Sequence, residues 1–167
     1  MNKFSLFILF FTLTLSQPVR AQASFPDKVL GIWEGEMLLY QQGHVYDSVA
    51  VRLSISKTDT PQVYGWKTEY LSKKYPIAKD YQLKLLDGDQ QVYAMDEGDG
   101  IVLKAYVFDN KLYSTFAANG NMLSSSYELR NDKLIFEISY GKLLDETEGV
   151  NNYSVNSLQK AVMRRTN

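Results

Sequence analysis

From Gly31 onward, apolar and polar residues alternate with a period of two, and short turn-forming sequences interrupt the alternation at close intervals. Period two places successive side chains on opposite faces of a strand, so each segment has one apolar and one wet face. Ten segments read this way: Gly31–Tyr40, Val45–Ser56, Gln62–Ser72, Asp80–Leu86, Gln91–Met95, Ile101–Phe108, Lys111–Ala117, Met122–Arg130, Lys133–Tyr140 and Tyr153–Arg164. Between them stand Gln42-Gly43, Asp87-Gly88-Asp89, Glu97-Gly98-Asp99-Gly100, Asp109-Asn110, Asn119-Gly120 and Asn131-Asp132. These residues tolerate positive φ or form Asx turns, as tight antiparallel hairpins require. No helical period of full helix length follows Val29, and no connection is long enough for a crossover helix. The chain is expected to be all-β, an antiparallel up-and-down meander of about 8–10 strands.

Such a meander leaves two vulnerable edges unless it closes, and closure into a barrel removes them. The faces support a barrel that is dry within. Trp33, Gly35, Met37 and Leu39 oppose Glu34 and Glu36, and Val49, Val51, Leu53 and Ile55 oppose Ser48, Arg52 and Ser54. Tyr81, Leu83 and Leu85 oppose Gln82 and Lys84, while Leu134, Phe136 and Ile138 oppose Glu137. Two segments are less regular. One carries Tyr64, Trp66, Thr68 and Tyr70 on a single face, and the other carries Leu123, Ser125, Tyr127 and Leu129. A solid core rarely uses so many hydroxyls, whereas an aromatic-lined cavity does. Rings at a barrel end with their hydroxyls in water are the alternative.

The first residues are expected to be a secretory leader. Lys3 begins it, Phe4–Leu15 is an apolar run, and small residues precede cleavage after Ala21 or Ala23. Twelve apolar residues span about 18 Å as a helix, short of a ~30 Å hydrocarbon core, so an uncleaved anchor is disfavoured. Residues 1–21 are therefore read as signal peptide and 22–167 as a single barrel domain. The sequence contains no cysteine, which excludes a thioether-linked lipid, disulfides and thiolate metal sites. The expectation is an exported protein, periplasmic or secreted, and the lack of disulfides leans towards a bacterial envelope. Removing Met1–Ala21 takes Lys3 and Arg20 from the 18 bases and none of the 19 acids, leaving a formal charge of −3. With no basic run longer than two residues, neither nucleic acid nor an anionic membrane surface is an expected partner.

Phe25–Leu30 followed by Gly31-Ile32-Trp33-Glu34-Gly35 resembles the opening of the calycin barrels, which include lipocalins, fatty-acid-binding proteins and avidins. In them a glycine-x-tryptophan starts the first strand, the tryptophan closes one barrel end, and a basic residue of the last strand covers its ring. The resemblance implies that Gly31, Trp33 and Gly35 form this closure with Arg164 or Arg165. A guanidinium stacked on indole contributes about 0.5–2 kcal/mol, and glycine permits close approach of neighbouring chains. The cysteines of eukaryotic lipocalins and the helix pair of the fatty-acid-binding type are missing, so no family within the superfamily is assigned. Barrels of the nitrobindin type are similar in strand number and use a histidine ligand.

Candidate chemistry is sparse. His44, the only histidine, stands at a hairpin tip. Asp96–Gly100 lacks the spacing of a twelve-residue calcium loop and reads as a solvated hairpin. Lys67 and Glu69 share the face opposite Trp66 and read as an exposed pair, or as cavity groups if that face points inward. Ser124-Ser125-Ser126 has no base placed to activate it. Asn152-Tyr153-Ser154 is a glycosylation sequon, relevant only in a eukaryotic host. No metal or cofactor is assigned. The expected function is non-enzymatic binding of a small hydrophobic or aromatic ligand inside the barrel, with Met37, Tyr64, Trp66, Tyr70, Tyr127 and Phe136 as candidate lining. The alternatives are a filled barrel presenting loops to a protein partner, and an enzyme using a cavity carboxylate.

Overall fold

The computed structural model describes residues 23–144 and 149–166. The expected leader, Met1–Ala21, lies outside the described residues, as does part of the acidic stretch before the last strand. A one-turn helix, α1 (Phe25–Lys28), precedes ten strands. They are β1 (Gly31–Gln41), β2 (His44–Lys57), β3 (Val63–Tyr70), β4 (Ile77–Asp87) and β5 (Val92–Asp96). The remainder are β6 (Val102–Phe108), β7 (Lys111–Ala118), β8 (Asn121–Arg130), β9 (Lys133–Leu143) and β10 (Tyr153–Thr166). Each strand pairs antiparallel with its sequence neighbours, and β1 pairs with β10 from Ile32↔Thr166 to Gln41↔Ser157. The meander is therefore a closed ten-stranded barrel, and no strand edge remains open along its circumference.

The turns are built where left-handed backbone is available. Gln42, Gly43, Asp109, Asn119, Gly120, Asn131 and Asp132 all have positive φ. The β3 and β4 boundaries differ from the alternation pattern for local reasons. Gln62 is left-handed at φ 64°, so β3 starts one residue later than expected. Beyond Tyr70 the Ser72 hydroxyl accepts from the Lys74 and Tyr75 amides, folding the chain into a turn that offers β4 a start at Ile77. Strand β9 runs on to Leu143 because Gly141 and Lys142 find partners in both β8 and β10.

One end of the barrel is plugged. Ser24 caps α1, its hydroxyl accepting from the Asp27 amide at 3.4 Å and donating to Asp27 Oδ2 at 2.6 Å. Lys57 Nζ lies 3.1 Å from the other carboxylate oxygen, within ion-pair range though out of hydrogen-bond alignment. These contacts, led by the Ser24 hydroxyl, hold the Asp27 carboxyl below its usual range. Capping of this kind lets a single turn of helix persist by satisfying its free amides. The helix presses Phe25 and Val29 against Trp33, and all three are buried. The Trp33 indole N–H donates to the Val29 carbonyl at 2.8 Å.

Arg165 completes the plug. Its guanidinium carbon lies 4.6 Å from the Trp33 ring centroid, and its Nη2 donates to the Lys28 carbonyl at 2.8 Å. Arg164 pairs with Glu34 in register, on the outer face, and is exposed. Of the two arginines, period two leaves Arg165 to cover the indole. The two glycines act differently from one another. Gly31 has φ +119°, and a side chain there would meet only ordinary contacts with Arg165, so the backbone conformation is what calls for glycine. A Cβ on Gly35 would fall 2.4 Å from the Val162 carbonyl oxygen, so its absence lets β10 approach β1. The close approach is to a neighbouring strand rather than to the indole.

Candidate functional site

Above the plug the barrel is hollow. A cavity of about 690 Å³ runs from the middle of the barrel to the end that carries the β1–β2 hairpin. Its deep wall is apolar: Met37 and Val51, Leu53, Ala105, Leu112 and Met163. Nearer the mouth stand Lys79, Tyr81, Glu97, Tyr140, Ser157 and Gln159. The alternation of each strand delivers these residues to one interior, and the register fixes how far up the axis each one sits.

The candidate lining residues divide by depth. Met37, Tyr70, Tyr127 and Phe136 line the cavity. Trp66 also points inward but sits behind Tyr127, fully buried and outside the lining. Its ring meets that of Tyr127 edge-on, with centroids 5.1 Å apart and planes at 79°. Strands β3 and β8 are opposite one another in the ring of ten, so this contact crosses the lumen. Tyr127 in turn lies 4.7 Å from Phe136. Tyr64 is lower still, its hydroxyl 3.4 Å from that of Ser24, and it belongs to the plug. The face of β3 that carries tyrosine and tryptophan is thus the inner one. Lys67 and Glu69 form a 3.4 Å ion pair on the outside, each partly exposed to water.

Electrostatics separate the cavity from the rest of the barrel. Burial pushes the Tyr127 phenol up to about 12, partly offset by the nearby Trp66 N–H and Thr68 hydroxyl. The Trp66 N–H does not reach hydrogen-bond geometry and has no partner among the described residues. Tyr70 is raised by burial, and Tyr81 is raised further, by burial first and then by the Glu97 carboxylate beside it. Three of the four phenols lining the cavity are therefore held neutral near a single carboxylate. In the opposite direction, Asp96 is held low by the Lys84 ammonium, 2.6 Å away on the outer face, and by the Gly98 amide.

Glu97 and Tyr81 are site residues that the sequence reading did not single out. The Asp96–Gly100 stretch reads as a solvated turn, and Asp96, Asp99 and the glycines do form one. The signal for Glu97 is the phase of β5: Tyr93 and Met95 face inward, so the next residue on that face is Glu97. His44 is exposed at the start of β2. Ser125 lines the cavity, whereas the Ser124 hydroxyl lies 3.0 Å from that of Thr115 on the outside. Among the described residues, no three His, Cys, Asp or Glu side chains are grouped to hold a metal ion.

No protein-family model matches the chain, and no curated protein matches it. Among solved structures it is similar to the S-type phycobiliprotein lyase CPES from Guillardia theta, with a TM-score of 0.62 at 9% identity. The likeness covers 86% of this chain and 91% of that one, and at this identity it concerns the fold.

Proposed function

We propose that the protein is a calycin-like carrier that binds a small, predominantly apolar ligand within the barrel, without catalysis. One observation carries this reading. A barrel with a solid plug at one end keeps about 690 Å³ of apolar-walled space at the other. That volume lies within the ~300–1,000 Å³ typical of small-molecule sites. The similar solved structure, a phycobiliprotein lyase, shares this barrel shape. Binding is favoured over proton transfer because burial raises the Tyr70, Tyr81 and Tyr127 phenols, moving them further from the range near pH 7 that a working acid or base needs. We further propose that the carrier is exported to the periplasm or medium through cleavage after Ala21 or Ala23, which N-terminal sequencing of the host's extracytoplasmic protein would check.

Native mass spectrometry of protein purified from its own host tests the carrier. A bound small molecule is expected on the wild type and lost in Ser125→Leu, which extends a larger side chain into the open cavity. Ligand retained by the leucine variant, or repeated absence of any bound mass from the wild type, would overturn the reading. Absence would leave the loop-presenting module ahead.

A further inference from the structure

We propose that the ligand is a cationic amphiphile, seated apolar end first, with its positively charged head against Glu97 at the cavity mouth. This rests on the carrier reading and names its ligand class. The cavity is graded along the barrel axis, from Leu53, Leu112 and Met163 in the depth to charged and hydroxyl-bearing side chains at the mouth. A molecule with a matching gradient fits in one orientation only. Among the described lining residues only Lys79 and Glu97 carry charge, and they differ in setting. Lys79 is exposed at the rim, its ammonium 6.0 Å from the Tyr81 ring centroid. Water screens it there. Glu97 is only partly exposed, and its charge is felt at Tyr81 and as far inside as Tyr127.

Glu97 takes part in none of the seven ion pairs found among the described residues. Any ligand that fills the mouth strips water from this carboxylate. A neutral or anionic head would leave its charge desolvated and unpaired, which is costly. A cationic head supplies the missing counter-charge, and the Tyr70 and Tyr81 rings beside it present π faces that attract cations. The carboxylate selects the sign of the head, and the apolar depth selects the body.

The test titrates the leaderless full-length protein at pH 7 with three probes of equal chain length below their micellar concentrations: dodecylammonium, dodecanol and dodecanoate. Trp66, against the cavity residue Tyr127, provides a fluorescence readout. Dodecylammonium is expected to bind roughly 10- to 100-fold more tightly than dodecanoate, the range for a charge-assisted contact. Glu97→Gln should reduce that preference to about threefold or less and tighten dodecanol binding, because no carboxylate is then left desolvated under the neutral head, whereas Lys79→Met should preserve the preference. Dodecanoate binding as tightly as dodecylammonium, or a preference that survives Glu97→Gln, would overturn the cationic head. Dodecanol binding without any charge preference removes this inference alone. Failure of all three probes to bind removes the carrier reading with it.

Discussion

At the closed end of the barrel Trp33 is fixed from three sides: Val29 accepts from its N–H, α1 packs beneath it and Arg165 lies over its ring. At the open end Tyr70, Tyr81 and Tyr127 line open space, with the Glu97 carboxylate beside Tyr81. Both ends use the same ten strands with the same inward alternation. What differs is whether a further element covers the lumen. The α1 turn does so below, and no described element does so above. Stability should therefore be concentrated in the lower half and binding in the upper half. A barrel so divided can lose side-chain volume near its mouth at small cost, because the atoms there already lack neighbours.

The comparison can be broken most directly at Trp33. Trp33→Ala should cost about 3–5 kcal/mol in chemical denaturation, as for other buried aromatics. A loss under about 1 kcal/mol would show that the indole does not plug the barrel. A smaller effect is expected at Gly35. Gly35→Ala drives a methyl to within 2.4 Å of the Val162 carbonyl, so β1 and β10 must separate, at about 1–3 kcal/mol. An alanine variant as stable as the wild type would mean that the closing seam is looser than this contact implies.

The smallest effect belongs to the open end and shows only in alkali. The Tyr127 phenol ionises near 10 in the unfolded chain and at about 12 in the folded one. Between those values the unfolded chain has released a proton that the fold retains. Stability from this group is thus fully present below pH 10 and falls as pH rises towards 12. Tyr127→Phe should change stability near neutrality by about 1 kcal/mol or less and make the alkaline decline shallower. An unchanged alkaline slope would show that other groups, such as the buried Tyr70, Tyr81 and Tyr93, account for all of it.

Much of the closed end was legible in the sequence because its parts carry local signals. Glycine-x-tryptophan, a terminal pair of arginines and a period-two strand are enough to bring Trp33 under a guanidinium, once the first and last strands are neighbours. The open end offers weaker signals. Tyr64, Trp66 and Tyr70 share one face of β3 and look equivalent along the chain, yet they occupy the plug, the buried middle and the cavity wall respectively. Glu97 was hidden in a turn-forming stretch whose other residues do form the turn.

By itself, the sequence determined that this chain is all-β, that its strands follow one another as a meander, and, except on β3, which side chains face inward. Those properties follow from alternation and turn chemistry, which act between residues close in the chain. The tertiary structure decided depth and opposition: that Ile55 is level with Trp66, that Tyr127 crosses the lumen to meet it, and that Glu97 stands at an open mouth. Depth depends on strand register accumulated around the ring, and opposition on the number of strands that close it. Neither quantity is written in any short stretch of the chain, and both decide where space is left for a ligand.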